Sequence, residues 1–232
     1  MTSSTTSAEI NAAVPGTFLA GLHQSEFASL VALGIARRFS RDSILILQGE
    51  SDDRVMILLA GRVKVGRVEQ DGRELMLEIR DPGDLLGELA FVDGGPRVAT
   101  VTTLEPVEAL VMPAGALRAH LEATPRIAVV LLEIIARRLR ESSVTRSKSG
   151  VADTMGRLAA RILELADRYG QPCEDGVSFT SPLSRQDLAA WTGASPAGVA
   201  EALRSLRELG WITTERRSVV VADVDALRAR AP

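Results

Sequence analysis

The chain has 232 residues, of which 46% are hydrophobic and 25% charged, and its net charge at pH 7 is −3. This composition is that of a soluble globular protein with one large domain or two ordinary ones, and it supplies no overall positive field that would attract nucleic acid. A single cysteine, Cys173, excludes a disulfide framework, a cysteine-held iron–sulfur cluster and a structural zinc finger, and two histidines, His23 and His120, are too few for a histidine metal cluster.

Residues 1–14 are mostly small and polar and are expected to form a disordered tail. They carry neither the basic segment nor the apolar segment of a secretory signal. The chain has no run of roughly 18 or more uncharged apolar residues, so no membrane-spanning helix is predicted. The sequence therefore predicts a cytoplasmic protein with no membrane partner.

Short β-strands are predicted throughout residues 43–113, because runs rich in Ile, Val and Leu alternate with turn residues. Asp71-Gly72 is a strong hairpin signal, since both residues tolerate positive φ, and residues 81–84 form another turn. No helix-length segment separates the strands, which argues against a parallel sheet and favours an antiparallel barrel or jelly roll. The predicted strands are 43–48, 55–61, 62–68, 74–80, 97–104 and 107–113.

Helical patterns replace the strands after residue 114, first in a short segment over 115–123. A longer helix is expected from Pro125, because a helix's first turn does not need the missing N–H. Leu132, Ile135 and Leu139 follow one another at the spacing of a short coiled-coil seam. A helix packed on its own domain also fits so apolar a stretch, but the spacing favours a partner helix, and a homodimer is the simplest source of one.

A hinge is predicted near Ser149-Gly150, where the helical pattern is interrupted. Asp153 is a suitable N-cap for an amphipathic helix that ends at Gly170, and residues 171–178 are expected to form a loop. Two short helices and a small hairpin are predicted after it. The chain is thus expected to have a β-rich half, a connecting helix and a small α-rich half.

Residues 183–223 contain the pattern of a helix–turn–helix. Ser184 followed by Asp187 is a capping box that opens a helix, and Gly193 ends this helix. Ser195 can cap the second helix, with Pro196 at its first position. The buried stripe of the second helix is predicted to be Val199, Leu203 and Leu206.

A hairpin is predicted over residues 210–221, with Arg216 and Arg217 at its tip, and it resembles the wing of a winged helix. Residues 154–232 contain ten arginines and ten acidic residues, so their net charge is zero. Phosphate binding would then depend on the placement of Arg185, Arg204 and the two tip arginines on one face. A generic small helical domain is the alternative interpretation, because helical hairpins with a glycine turn are common.

The segment GELAFVDGGPRVATV, residues 87–101, places Glu88 and Arg97 in an apolar neighbourhood. Two opposite charges there indicate either a salt bridge that holds a loop or the two ends of a ligand site. A guanidinium offers a planar fork for phosphate oxygens, and the glycines at 87, 94 and 95 let the backbone come close to a ligand. A carboxylate would repel a phosphate, so it belongs on the hydroxyl side of such a ligand.

Three segments in this order resemble the cyclic AMP receptor protein (CRP/FNR) family of bacterial transcription regulators: residues 87–101, ARRLRESS leading to MGRLAARILELA, and LSRQDLAAWTGAS. The resemblance implies an α+β protein with an N-terminal antiparallel jelly-roll β-barrel that binds a cyclic nucleotide (15–124), a long dimerisation helix (125–150) and a C-terminal winged helix–turn–helix (151–232). It also implies a homodimer that binds double-stranded operator DNA and contacts RNA polymerase. No catalytic constellation is found, and the chain is not expected to be an enzyme.

The same resemblance assigns roles in the nucleotide site. Glu88 would accept from the ribose 2′-hydroxyl, and Arg97 would bind the cyclic phosphate together with backbone N–H groups. Val98 stands where bacterial members usually carry serine or threonine, which removes one hydrogen bond worth about 1 kcal/mol. Arg138 would support the nucleotide or Glu88. The full set implied is Gly87, Glu88, Leu89, Ala90, Arg97, Val98, Arg138, Ser142 and Ser143.

Ser142 and Ser143 stand where the helical seam should continue with Leu or Ile, and buried polar residues are costly without partners. The matching family residues bear hydroxyls that reach the nucleotides of both subunits. A ligand held there would bridge two helices and bias, through the hinge, the spacing of the DNA-reading helices. A loosening of the coiled coil near the hinge is the alternative.

The DNA-reading helix departs from the best-known family member, because the matching run, PAGVAE from Pro196, lacks both reading arginines. A different and more shape-dependent operator is therefore expected. Glu201 can accept from cytosine N4, and Ala197 can meet a thymine methyl. The implied DNA-binding residues are Ser184, Arg185, Gln186, Ser195, Ala197, Glu201, Arg204, Arg216 and Arg217.

Cyclic AMP is the expected effector, with cyclic GMP as another possibility. Two alternatives stay open at this point: a DNA-binding regulator of the family with another effector or none, and a nucleotide-controlled protein-interaction module. The neutral C-terminal half is the feature that favours the second of these.

Overall fold

The computed structural model describes residues 13–149, 152–215 and 218–232, with residues 144–149 described as helical backbone only. Most of the expected tail, Gly150 of the predicted hinge and both tip arginines of the predicted wing lie outside the described residues. The chain divides into two compact units. The first contains the described residues up to Val68 together with Leu77–Arg140, and the second contains Glu69–Met76 together with Glu141–Pro232.

Two four-stranded sheets build the first unit, in the orders β1-β8-β3-β6 and β2-β7-β4-β5. Strand β8 pairs antiparallel with β1 and β3, and β7 pairs antiparallel with β2 and β4. This arrangement confirms the predicted jelly-roll-like architecture. The strands are β1 (Ile35–Phe39), β2 (Ile44–Ile46), β3 (Arg54–Ala60), β4 (Val63–Val68), β5 (Glu74–Arg80), β6 (Leu85–Leu86), β7 (Thr100–Thr103) and β8 (Val107–Pro113).

Strand β3 shows why its sequence is apolar without alternation. Met56 and Leu58 face a core that lies between the two sheets. Val55, Ile57 and Leu59 face a second core, on the other side of the strand. A strand covered on both faces needs apolar residues at every position, so the continuous run VMILL is explained by double burial.

Four helices accompany the sheets: α1 (Gln24–Val31), α2 (Glu88–Asp93), α3 (Ala114–Ala123) and α4 (Pro125–Ser149). A short 3-10 turn, Leu19–Gly21, precedes α1. Apolar residues of all four helices contribute to the second core, as Phe27, Phe91, Leu117 and Ile127 do. The loop around α2 is therefore supported from behind by packed helices.

The long helix α4 has two apolar faces. Val130 and Leu131 are buried in the core of the first unit, and Ile135 is half-buried against it. Leu132 and Leu139 are exposed by 61% and 64%. One face of α4 therefore packs on its own domain, while Leu132 and Leu139 of the predicted seam are exposed, and the partner helix stays a prediction.

The second unit contains a small sheet and four helices. Its sheet has the order β11-β12-β10-β9. Helix α5 buries Leu158, Ile162 and Leu165 along one face, as an amphipathic helix should. The elements are α5 (Thr154–Tyr169), β9 (Gln171–Cys173), β10 (Gly176–Thr180), α6 (Arg185–Thr192), α7 (Pro196–Glu208), β11 (Ile212–Glu215), β12 (Ser218–Val221) and α8 (Val224–Arg230).

Several local predictions need correction. Residues 171–178 are not a loop but most of the β9–β10 hairpin, whose strands pair antiparallel. Strands β1 and β6 and helices α1, α2 and α8 were not predicted, and α2 lies within a segment that was expected to be a loop. The N-cap at Asp153 is confirmed, because its side chain accepts from the N–H of Gly156. The predicted stripe of α7 is confirmed at Val199 and Leu206, which are fully buried.

Candidate functional site

Helix α2 carries the predicted ligand loop, and glycines in the left-handed region stand at both of its ends. Gly87, its N-cap, has φ 83°, and Gly94, its C-cap, has φ 71°. Residues with a side chain rarely adopt this conformation. Glu88 is the first residue of α2, which ends at Asp93, and Arg97 lies four residues after the end of this helix. The two charged residues therefore lie at opposite ends of the loop.

Arg97 is almost completely buried, with 4% of its surface exposed. Its guanidinium donates to the backbone carbonyls of Gly87 (3.1 Å), Asp52 (3.0 Å) and Arg54. The Asp52 carboxylate lies 3.9 Å away, but its closer partner is the Arg54 side chain at 2.7 Å. Nε of Arg97 has no hydrogen-bond partner among the described residues. A buried N–H without a partner is costly, and the two Nη groups of Arg97 are already bonded to backbone carbonyls.

Gly87 has a steric role in addition to its conformation. A Cβ atom at this position would lie 2.3 Å from Nη1 of Arg97 and 3.2 Å from its Cζ. Only a residue without a side chain lets the guanidinium pass against the backbone here. Gly87 therefore determines where the Arg97 side chain can lie.

A cavity of about 390 Å³ lies beside Arg97. Residues 51–55, the C-terminal end of α2 and the first turn of α3 form its walls, and Ala90 and Arg118 belong to its lining. Arg118 donates to the carbonyl of Phe91 (2.6 Å) and lies over the Phe91 ring. These contacts fix the outer side of α2.

Glu88 is also buried, and its carboxylate is paired with arginines other than Arg97. Nη2 of Arg80 lies 3.2 Å from Oε1, and Nη1 of Arg138 lies 2.6 Å from the same oxygen. Burial raises the pKa of Glu88, and the positive charge of Arg80 opposes that rise. The geometry thus gives Glu88 and Arg97 separate partners.

Arg138 connects helix α4 to the loop region through two carboxylates. Its Nη2 donates to Oδ1 of Asp84 at 2.5 Å, and its Nη1 donates to Glu88. Burial raises the pKa of Asp84 to about 7, although the charge of Arg80 opposes the rise. The expected support of Glu88 by Arg138 is present as a direct ion pair.

The structure brings together some of the predicted ligand residues and leaves others apart. Ala90 is half-buried, whereas Leu89 and Val98 are exposed by 43% and 54%. Ser142 and Ser143 are exposed and belong to the second unit. Their placement beside a nucleotide therefore stays a prediction.

Sequence reasoning missed Arg80, Asp84 and Asp52, which surround the two predicted residues. Asp52 and Asp84 lie in turns that look ordinary in sequence. Arg80 carried one sequence signal, because it follows the apolar Ile79 at the end of a predicted strand, and the structure shows that it is buried. A charged residue in that position needs a charged partner.

The predicted DNA-binding residues that the structure describes lie on exposed surface of the second unit. Ala197, Glu201 and Arg204 are exposed along α7, and their spacing places them on one helix face. The opposite face of α7 is buried through Val199 and Leu206. The described set is Ser184, Arg185, Gln186, Ser195, Ala197, Glu201 and Arg204, and all seven are exposed.

The start of each helix in this motif is fixed by the predicted caps. Ser184 and Asp187 form a complete capping box, and Ser195 accepts from the N–H of Gly198. Arg157, which sequence reasoning missed, donates to the carbonyl of Thr192 at 2.7 Å and to that of Ala152. This arginine ties the turn between α6 and α7 to the start of α5.

Arg204 lies 4.0 Å from Glu201, so the exposed face of α7 presents a loose ion pair. Arg216 and Arg217 lie outside the described residues, and their place on this face stays a prediction. Among the described residues, no group of three or more His, Cys, Asp or Glu side chains is arranged to hold a metal ion. None of the described helices has the length and apolar character needed to cross a membrane.

Comparison with known proteins identifies two family models in the chain. Residues 36–124 match the cyclic nucleotide-binding domain, and residues 156–230 match the Crp-like helix-turn-helix domain. The first match contains the α2 loop with Glu88 and Arg97, and the second contains α6 and α7. The two matches coincide with the two sites described above.

Similar proteins match this chain over most of their length. The chain is 36% identical over 211 residues to the CRP-like cAMP-activated global transcriptional regulator of Mycobacterium tuberculosis, covering 91% of this chain and 94% of the relative. A CRP-family transcriptional regulator from Thermus thermophilus has a TM-score of 0.69 at 28% identity, covering 84% and 96% of the two chains. The c-di-GMP-responsive global regulator of Xanthomonas campestris has a TM-score of 0.75 at 20% identity, covering 86% and 99%, and shares the fold.

Proposed function

The chain belongs to the CRP/FNR family of transcription regulators, and we propose that it acts there as a homodimer that binds cyclic AMP and, in response, operator DNA. The observation that carries this proposal is the arrangement at α2. A buried arginine and a buried carboxylate stand at opposite ends of one glycine-bounded turn, each with its own partners.

The chemistry of the two ends fits a cyclic nucleotide. Arg97 carries a planar set of donors that now bond backbone carbonyls, and we propose that it turns part of this set to the oxygens of a cyclic phosphate when the ligand binds. Glu88 offers carboxylate oxygens that can accept from a ribose hydroxyl. The N–H groups of Leu89 and Ala90, in the first turn of α2, are proposed to assist Arg97 on the phosphate.

Val98 is proposed to contact the same end of the ligand without donating to it. Its exposed side chain lies directly after Arg97, where a hydroxyl would add one hydrogen bond. Ser142 and Ser143 are proposed to bind the purine. Cyclic GMP shares the phosphate and ribose and is the other candidate nucleotide. The relative from Mycobacterium tuberculosis, which is cAMP-activated by name, supports cyclic AMP.

The homodimer is supported by helix α4. Val129, Leu132 and Leu139 are each more than half exposed, although apolar side chains are stabilised by burial. A second copy of the same helix would cover this stripe with the same residues, as a two-fold interface requires. Residues 125–150 are therefore proposed as the dimerisation helix, between a nucleotide domain (15–124) and a DNA-binding domain (151–232).

DNA binding is proposed for the exposed side of α6 and α7. The N-terminal ends of both helices are capped and exposed, so Arg185 and Gln186 can meet phosphates while α7 faces the bases. Ser184 and Ser195 already cap their helices, so their contribution to DNA binding is to hold the helix ends in place. We also propose that the protein contacts RNA polymerase, that it is not an enzyme, and that it is located in the cytoplasm.

Selection of bound DNA from a random double-stranded pool tests this function. The full chain is used with and without cyclic AMP or cyclic GMP, beside Arg97→Lys and the control Arg73→Ala, which removes an exposed arginine of the β4–β5 hairpin. We expect a two-fold symmetric sequence with half-sites about one helical turn apart. The wild-type protein should enrich this sequence only when nucleotide is present, and the Arg97→Lys variant should not enrich it. Equal enrichment with and without nucleotide would refute the effector claim, and no enrichment under any condition would refute DNA binding.

A further inference from the structure

Arg80 is a buried charge that the roles proposed above do not use. It is the last residue of β5, and 8% of its surface is exposed. Its Nη2 lies 2.6 Å from Oε1 of Glu78 and 3.2 Å from Oε1 of Glu88. Its Nε has no hydrogen-bond partner among the described residues. Burying a guanidinium costs free energy unless its charge is paired. We therefore looked for a role of Arg80 that depends on its contact with Glu88.

Two guanidinium groups share one oxygen of Glu88, and they come from different kinds of element. Arg80 is held by the sheet through β5. Arg138 is held by helix α4, the helix that is proposed to transmit the ligand signal. If Arg138 were the sole cation at Glu88, any movement of α4 would leave a buried carboxylate without compensation, and that carboxylate would take up a proton.

The charged groups that face this carboxylate come from four segments. Arg80 and Glu78 belong to β5, Asp81 and Asp84 to the turn before β6, Arg97 to the segment after α2, and Arg138 to α4. Burial raises the pKa of Glu88, and among these cations the charge of Arg80 is the largest influence against that rise. Glu78 and the two aspartates add negative charge, so Arg80 opposes their effect as well.

We infer that Arg80 is a positioning residue for nucleotide recognition: it holds Glu88 as an oriented carboxylate from the sheet side, independently of helix α4. This inference rests on the proposed function, since it assigns a task within the same site. A carboxylate accepts a hydrogen bond from a ribose hydroxyl, whereas a protonated carboxyl group loses part of that capacity. Arg138 can then exchange partners when α4 moves without changing the charge of Glu88.

The consequence for pH has a definite sign. Removing Arg80 removes a cation that stabilises the charged form of Glu88, so the pKa of Glu88 rises further. As the pH falls, Glu88 then becomes protonated and nucleotide affinity decreases. Between pH 8 and pH 6 the affinity for cyclic AMP should therefore fall about tenfold more in Arg80→Met than in the wild type.

The experiment measures cyclic AMP affinity of the full chain by calorimetry at several pH values. Arg80→Met is compared with Arg80→Lys, which keeps the charge and should restore the wild-type profile, and with the exposed-site control Arg73→Met. Glu88→Gln in the Arg80→Met background should remove the additional pH dependence of Arg80→Met. In parallel, the Glu88 carboxyl carbon is titrated by NMR without nucleotide, in the wild type and in Arg80→Met, with far-UV ellipticity confirming that each variant is folded.

The two failures are distinguishable. If the wild type binds no cyclic nucleotide, the proposed function is wrong and the ribose role of Glu88 is overturned with it. If the wild type binds but Arg80→Met loses affinity equally at every pH, Arg80 is a structural residue and the inference is overturned. An unchanged NMR titration of Glu88 in a folded Arg80→Met protein also overturns it, whatever the nucleotide result.

Discussion

Replacing Gly87 by alanine tests the geometry of the α2 loop, because the structure offers a matched control. Gly87 has φ +83°, and Gly49, in the same unit, has φ +84°. An added Cβ at Gly49 would meet nothing within 4 Å, whereas at Gly87 it would lie 2.3 Å from Nη1 of Arg97. Both substitutions carry the same backbone strain, so their difference isolates the collision with Arg97.

The magnitudes follow from these contacts. Alanine in the left-handed region costs about 1–2 kcal/mol, which is the expected loss for Gly49→Ala. In Gly87→Ala the guanidinium of Arg97 must also move, which breaks one or more of its bonds to three backbone carbonyls. Hydrogen bonds to charged groups are worth about 1.5–3 kcal/mol each, so the total loss should reach about 3–5 kcal/mol.

Thermal melting followed by far-UV ellipticity measures this difference. At about 4 °C per kcal/mol, Gly87→Ala should melt well below Gly49→Ala. Both tryptophans, Trp191 and Trp211, lie in the second unit, so their fluorescence reports whether that unit stays folded. Cyclic AMP affinity should fall about tenfold or more in Gly87→Ala only, since Arg97 is displaced. Equal melting temperatures and equal affinities in the two variants would refute the steric role of Gly87.

Three further predictions concern other parts of the molecule. Val98→Thr places a hydroxyl beside Arg97, and calorimetry should show that cyclic AMP binds about fivefold more tightly, a gain in binding free energy of about 1 kcal/mol. An unchanged affinity would show that the exposed side chain does not reach the phosphate. Burial raises the pKa of Asp84 from 3.8 to about 7, so the folded state binds a proton at Asp84 more tightly than the unfolded state does. The free energy of unfolding should therefore decline as the pH rises from 4 to 7, by up to about 4 kcal/mol. Asp84→Asn should remove that slope in melts at a series of pH values, and an identical slope in both proteins would contradict the assignment. Arg185→Ala should weaken binding to all DNA sequences alike and reduce the salt slope by about 1, whereas Arg228→Ala, on α8, should leave both unchanged; a loss confined to one sequence would contradict a phosphate contact.

The strands and caps with clear local chemistry could be predicted from the sequence. The capping box at Ser184 and the N-cap at Asp153 each join residues three positions apart, so the donor and the acceptor can both be identified from a short stretch of sequence. Strand β1 could not be predicted in this way, because four of its five residues are exposed and its arginines hide any period. It is held by pairing with β8 and by the ion pair between Arg38 and Glu108, which come together only in the fold.

The β9–β10 hairpin had a signal that the loop prediction overlooked. Asp175 lies in the turn and Gly176 begins β10, and this dipeptide is the same as Asp71-Gly72, with Gly176 at φ 129°. All three residues of β9 are exposed and one of them is Pro172, so no apolar alternation marked the strand. Here a turn signal should have outweighed the missing period.

For the candidate site, the chain's own motif predicted the two ends but not what surrounds them. From the residues alone, Glu88 and Arg97 indicated either a salt bridge or the two ends of a ligand site, and the resemblance to the family favoured the second. Arg138 was expected from the resemblance to support Glu88, whereas Asp52 and Arg80 were not predicted, and only the fold brings Asp52, 45 residues away in the chain, to Arg97. Both charges are buried only in the folded chain. In that low-dielectric interior their hydrogen bonds and ion pairs are stronger than they would be in water.

The central claim is that the α2 loop binds a cyclic nucleotide through Arg97, and a calorimetric titration of cyclic AMP into the full-length protein tests it most directly. We predict saturable binding of one nucleotide per chain, abolished in Arg97→Ala and preserved in Arg73→Ala. No binding up to millimolar nucleotide, or the same affinity in wild type and Arg97→Ala, would contradict it.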